Sequence, residues 1–184
     1  MDLARFLIGA ILVRDEPSGD RLAARIVETE AYLPDDAASH AFRGPTRRNG
    51  AMFLERGHAY VYLIYGLSHC LNVSSERAGT GAAVLLRAAE PLAGLGLMER
   101  RRGTGVPLDL TRGPGRLAQA FGLDRTHDGL DLCAPESPLW LAAGRPAAEV
   151  GESTRIGITR EADRVLRFFE RGSPFVSGTK KRNA

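Results

Sequence analysis

Residues 22–33 read "LAARIVETEAYL", and the fold turns on whether this run is a strand. Residues alternate from Arg25 onwards. Ile26, Glu28, Glu30 and Tyr32 are expected on one face, with Arg25, Val27, Thr29 and Ala31 on the other, the two-residue period of an extended chain. Glutamate is depleted in strands, and a strand carboxylate is rarely buried without a partner. The two glutamates, roughly 7 Å apart by strand rise, therefore either line a solvated face or are held in a site.

Further strand signals lie on both sides. "ARFLIGAILV" (4–13) reads as a short helix running into a strand, and the polar, turn-rich residues 34–51 as a loop. Residues 58–65 are rich in tyrosine and β-branched residues, with Tyr60, Tyr62 and Ile64 on one face and Tyr65 of opposite parity at the strand's end. Gly66 supplies a turn, "CLNVS" (70–74) returns, and "AAVLLRAAE" (82–90) comes next as a third strand. After Pro91 the pattern turns helical in "LAGLGLMERRR" (92–102) and "GPGRLAQAFGL" (113–123), where Pro114 suits a first helical turn. Strand-like pieces return in "PLWLAAG" (138–144), "TRIGIT" (154–159), "VLRFF" (165–169) and "SPFVS" (173–177). The expected class is α+β: one domain over residues 1–184, a curved, mainly antiparallel sheet with flanking helices and a protruding hairpin. Residues 178–184 are expected to form a disordered basic tail.

Composition narrows the function classes. The chain's 184 residues suffice for one sizeable core. The two cysteines, Cys70 and Cys133, make no disulfide framework, and the four histidines lack metal-ligand spacing, so neither metal nor cofactor is expected. No apolar run approaches membrane-spanning length, and a cytoplasmic protein is expected. Net charge is only +3, yet all but two of the 25 basic residues are arginine, which suits bidentate phosphate recognition as well as an arginine-biased genome. The clusters "RRNG" (47–50), "ERRRGTG" (99–105) and "KKRNA" (180–184) could each meet a polyanion or simply be solvated.

Two carboxylates can flank a glycosidic bond, but neighbours on one strand do not easily approach a sugar from opposite sides. On residue type alone, one glutamate paired with arginine and the other solvated is the favoured reading. The four tyrosines, Tyr32, Tyr60, Tyr62 and Tyr65, fit sheet packing, and they also fit stacking on a planar, cationic ligand. An aromatic at a hairpin tip can wedge between bases.

"RIVETEAY" (25–32), "ASHAFRGPTRRNGAMF" (38–53), "GHAYVYLIYGLSHCLNVSS" (57–75), "AAVLLRAAEPLAGL" (82–95), "TRGPGRLAQAFGL" (111–123) and "RFFERGSPFVSG" (167–178) together carry a resemblance to the alkyladenine (methylpurine) DNA glycosylase family. The resemblance spans nearly the whole chain and is weakest over residues 124–150. It implies a fold like the formyltransferase C-terminal domain, without a helix-hairpin-helix. It also implies extrusion of an alkylated purine from duplex DNA and hydrolysis of its N-glycosidic bond. The family's catalytic glutamate matches Glu30, and an arginine beside the catalytic water matches Arg87. Tyr32, His40 and Tyr62 match residues that hold the flipped base. Asn72 matches the asparagine that disfavours guanine, and Tyr65 the side chain that fills the gap in the duplex. Glu28 is left a supporting or solvated role, and Tyr60 stands outside the core set.

The implied partner is double-stranded DNA bearing alkylated or deaminated purines, met by a monomer. Lyase chemistry, which needs an amine nucleophile, is not expected of a chain whose only lysines are Lys180 and Lys181. Departures include Ser68, where an aromatic is common, "RRNGA" (47–51) in place of a Pro-Arg-Asn sequence, and a longer leader expected before the first helix. "TRGPGRLAQAFG" (111–122) is expected to be a helix start able to touch phosphate. The competing readings are a non-catalytic damaged-DNA-binding domain, against which the intact site residues speak, and a nucleoside or sugar hydrolase, which has no use for a tip tyrosine and basic clusters.

Overall fold

Residues 21–32 form a single twelve-residue strand that everything else is built around. The computed structural model describes residues 2–64, 66–179 and 183. A short helix, α1 (Asp2–Phe6), leads into β1 (Ile11–Asp15), which turns back into β2 (Arg21–Tyr32). A loop and a 3-10 turn (Gly50–Phe53) lead to β3 (Ala59–Ile64), β4 (Ser68–Ser74) and β5 (Ala83–Ala93). Helices α2 (Leu95–Arg102), α3 (Pro107–Leu110) and α4 (Pro114–Ala120) come next, then β6 (Leu139–Ala142), β7 (Val150–Thr154) and β8 (Val165–Glu170). All pairings are antiparallel, in the order β3-β4-β5-β2-β1-β6. The expected three-strand meander is β3-β4-β5, closed by β5 pairing along nearly all of β2. The other edge of β2 is shared: β1 takes Arg21–Arg25, and β8 takes Glu28, Thr29 and Glu30. No described helix is long and apolar enough to cross a membrane.

The alternation expected along β2 does not run through unbroken. Ile26 opposes Ala89, yet Glu28 opposes Ala88, so the register slips between them, and it slips again before Thr29 opposes Leu86. An extra residue in one strand rotates the residues beyond it to the other face. Leu22, Ala24 and Ile26 therefore enter the main core, and after the bulge Ala31 does, while Thr29 bonds the Ala4 carbonyl on that same side. Val27 packs elsewhere, against Ala88, Phe169 and Val176. Ile26 thus does not share a face with Glu28, Glu30 and Tyr32, because the bulge separates them. β5 changes phase in step: Val84, Leu86 and Ala89 face the core, and Leu85 and Arg87 point away. Met98 of α2, Leu117 and Ala118 of α4, and Phe121 cover the core side of the sheet.

Two expected strands are absent. In "TRIGIT" only Thr154 belongs to a strand. Residues 155–159 form a loop in which Gly157 adopts φ +77°, a left-handed conformation that ends extended pairing. "SPFVS" is a turn, whose amides bond within the segment, back to the Glu170 carbonyl or to Glu28 rather than forming a strand ladder. The short helix α3 went unanticipated. The tip residue Tyr65 and residues 180–182 and 184 of the expected basic tail lie outside the described residues.

Candidate active site

Past the bulge, β2 carries two carboxylates with no exposed surface. Each is held by three donors. Glu28 accepts from Arg87 Nε at 3.2 Å, Arg167 Nε at 2.6 Å and the Ser177 backbone N–H at 2.7 Å. Glu30 Oε1 accepts from the Ile156 N–H at 2.7 Å and lies 3.2 Å from Arg87 Nη1, while Oε2 accepts from the Tyr32 hydroxyl at 3.0 Å. Arg87 on β5 therefore bridges both glutamates. The solvated role for Glu28 is ruled out: its carboxylate lies between two arginines and an amide, as a buried charge must. Burial works against the charge on Arg87, but the attraction of Glu30 and Glu28 outweighs it and raises its pKa above the ordinary value.

Above this cluster lies a cavity of about 380 Å³, within the range of small-ligand pockets. Glu30 sits just behind the wall, and its three partners, Tyr32, Arg87 and Ile156, all line the cavity. More of the lining comes from β3 and the loop before it. Tyr60 and Tyr62, two residues apart on one strand face, have ring centroids 5.4 Å apart, and His40 meets the Tyr62 ring edge-on at 4.6 Å. His40 Nδ1 is 2.9 Å from the Tyr60 hydroxyl. Asn72, opposite Tyr60 on β4, lines the cavity too and donates to the Tyr60 carbonyl at 3.1 Å.

Removal from water sets the protonation of these groups. Burial first, and then the negative charge of Glu30, hold the Tyr32 phenol protonated far above its ordinary value, so it stays a donor to that carboxylate. Burial pushes Tyr60 up to about 12. Tyr62 rises further, through burial and then neighbouring Cys70. Burial, with a contribution from the Arg48 cation, lowers the pKa of His40, so its imidazole is neutral near pH 7.

The loop carrying His40 is tied down by Asn49. Its side-chain carbonyl accepts from the Thr46 N–H at 2.6 Å and its amide donates to the carbonyls of His40 and Gly44 at 2.8 and 3.1 Å. The "RRNGA" departure therefore keeps a buried asparagine that orders the loop. Arg48 lines the cavity and lies 5.8 Å from the Tyr62 ring centroid.

Of the seven residues singled out from the sequence, Tyr32, His40, Tyr62, Asn72 and Arg87 line one cavity, Glu30 lies immediately behind it, and Tyr65 lies outside the described residues. Three contributions were missed. Tyr60 is a cavity residue bonded to His40, and the parity it shares with Tyr62 was the available signal. The Ile156 amide and the buried Arg155 beside it come from a segment with the pattern of a strand. Nothing local marks a backbone N–H as a ligand to a carboxylate 126 residues away.

Known proteins place the chain in a family. A family model described as methylpurine-DNA glycosylase (MPG) matches residues 1–174. A relative from Mesorhizobium japonicum is 60% identical over 177 residues, covering 96% of this chain and 84% of its own. One from Paraburkholderia phytofirmans is 56% identical over 183 residues, covering 98% and 84%. A third, from Methanoculleus marisnigri, is 47% identical over 178 residues, covering 95% and 92%. All three carry the name 3-methyladenine DNA glycosylase in provisional form.

Proposed function

Because this chain belongs to the methylpurine-DNA glycosylase family, we propose that it removes alkylated purines, 3-methyladenine and 7-methylguanine first, from double-stranded DNA by hydrolysing the N-glycosidic bond. The observation that carries this reading is the buried Glu30 carboxylate, fixed by Arg87, the Tyr32 hydroxyl and the Ile156 N–H directly behind a tyrosine- and histidine-lined cavity.

The target nucleotide leaves the stack and its base enters the cavity. Tyr32 covers one face of the base, and Tyr62 and His40 the other. Asn72 crowds the exocyclic amine of guanine, and Tyr65, the residue after β3 in the sequence, fills the vacated space in the duplex. With Nδ1 taken by Tyr60, the neutral His40 ring has Nε2 left for the base. An alkylated purine already carries positive charge, so it departs without a strong acid. The sugar that remains is oxocarbenium-like, and a desolvated carboxylate stabilises that charge far better than one in water. Glu30 orients a water, takes its proton as it attacks C1′, and leaves an abasic site. Arg87 holds Glu30 against rotation and faces the sugar–phosphate. With no amine among the described residues that line the cavity, hydrolysis is the expected end of the reaction.

Glu30→Gln tests the assignment. Single-turnover excision of 7-methylguanine from duplex DNA is expected to fall on the order of 10²–10⁴-fold, while affinity for a duplex with a tetrahydrofuran abasic-site mimic persists. Excision at the wild-type rate would refute the role of Glu30. Duplex affinity is also expected to fall steeply as salt rises, because phosphate contacts release counterions. Salt-independent binding would favour a small soluble substrate.

A further inference from the structure

We propose that Arg155, held by Asp36, is the positioning residue that sets the plane of Tyr32 and the placement of the Ile156 N–H, so that one buried cation registers two walls of the cavity against Glu30. The inference rests on the glycosylase reading above and assigns a residue to it that neither strand parity nor motif pointed to.

Arg155 touches three separate segments of the site. Its guanidinium carbon lies 4.6 Å from the centroid of the Tyr32 ring. One terminal nitrogen, Nη1, donates to the Ala31 carbonyl at 3.0 Å, on the residue between Glu30 and Tyr32. Nη1 also bonds Asp36 Oδ2, and Nη2 donates to Asp36 Oδ1 at 3.0 Å. Both side chains of this pair are wholly buried. Asp36 in turn accepts from the Ala38 N–H at 2.9 Å, in the turn that leads to the cavity residue His40. The next residue in the chain is Ile156, whose N–H holds Glu30. Arg155 therefore joins the strand carrying Glu30 and Tyr32, the loop carrying Ile156, and the turn leading to His40.

Two features mark the setting of Arg155 as costly. Arg155 Nε is buried with no hydrogen-bond partner among the described residues. Such a group is expensive to leave unmade. Glu161, whose carbonyl lies 3.4 Å from Arg155 Nη2, takes a left-handed φ of 50°, which a non-glycine residue rarely adopts. A cation held over the Tyr32 ring accounts for the unpaired Nε, because contact with the ring then takes precedence over a further hydrogen bond. The pairing with Asp36 also matters for the substrate. An unpaired cation behind Tyr32 would oppose a positively charged base on its other face, and the neutralised pair does not.

Arg155→Lys tests this, since lysine keeps the charge but loses the planar fork. Single-turnover excision of 7-methylguanine is expected to fall on the order of tenfold to a hundredfold, with affinity for the abasic-site duplex unchanged, because that ligand has no base to stack. In a Tyr32→Leu background the same substitution should cost clearly less rate, since the part that acts through the ring is already gone and only the placement of the Ile156 N–H remains. A wild-type rate in Arg155→Lys, an equal loss in both backgrounds, or a fall in abasic-site affinity that tracks the fall in rate would each overturn the proposal. Should Arg155→Lys fail to fold, Asp36→Asn, which keeps volume and one acceptor, is read by the same pair of measurements with the same expectation, and a wild-type rate there overturns it. A wild-type protein that excises no alkylated purine sinks the glycosylase reading and this inference with it. An active wild type matched by its variants sinks the inference alone.

Discussion

The sheet around β2 holds one arginine between two glutamates twice over, once on each side of the bulge. Before it, Arg25 donates to Glu90 at 3.0 and 2.7 Å and to Glu170 at 2.7 Å. After it, Arg87 spans Glu28 and Glu30. The residue types are the same and the consequences differ. The Glu90 side chain is 33% exposed, and neither Glu90 nor Glu170 lines the aromatic cavity. Both carboxylates of the second cluster have no exposed surface, each is held by a backbone amide as well as by arginine, and their arginine lines that cavity. An arginine with two carboxylates is therefore not a site. It becomes one where the charges are desolvated and fixed beside a space that can hold a ligand.

The sharpest way to break the comparison is to make the same substitution in both clusters. Glu30→Gln is expected to reduce single-turnover excision on the order of 10²–10⁴-fold, and Glu90→Gln to leave it unchanged. A comparable loss in both would mean that activity tracks the integrity of the sheet. The next effect is on stability. Glu28→Gln leaves Arg87 and Arg167 short of a buried counter-charge and is expected to cost about 3 kcal/mol in chemical unfolding. Glu90→Gln, at a part-exposed pair, is expected to cost about 1 kcal/mol or less. Equal costs would contradict the difference in desolvation.

The smallest effect is a pH dependence peculiar to the cavity side. The folded protein lowers the pKa of His40 below its ordinary 6.5, so the unfolded chain takes up the proton first as pH falls. The stability contributed by the neutral ring is complete above that value and is lost as pH drops through it towards the folded pKa. His40→Gln should flatten the fall in thermal midpoint between about pH 7 and about pH 5, and an unchanged slope would refute it.

Much of the framework is legible in the chain itself. The β3-β4-β5 meander, the long β2 and the helices after Pro91 come from period and turn residues, because strand and helix periods are local properties of side-chain direction. The Tyr60–Tyr62 face is legible for the same reason. The face of Glu28 and Glu30 relative to Ile26 is not, since the slip at residues 26–28 depends on how β5 pairs there. The loop at 155–159 has the pattern of a strand because its β-branched residues alternate, whereas its backbone donors are committed elsewhere, the Ile156 N–H to Glu30.

By itself, then, the sequence determined the antiparallel α+β class, the tyrosine face and the motif from Glu28 to Tyr32, all carried by neighbours within a few residues. Only the tertiary structure decided that Glu28 is wholly buried, that Arg87 bridges two carboxylates, that Ile156 supplies an amide to Glu30, and that Arg155 lies over the Tyr32 ring. Those contacts join residues 57 to 126 positions apart. Desolvation and register, which settle them, belong to the assembled sheet and to no segment alone.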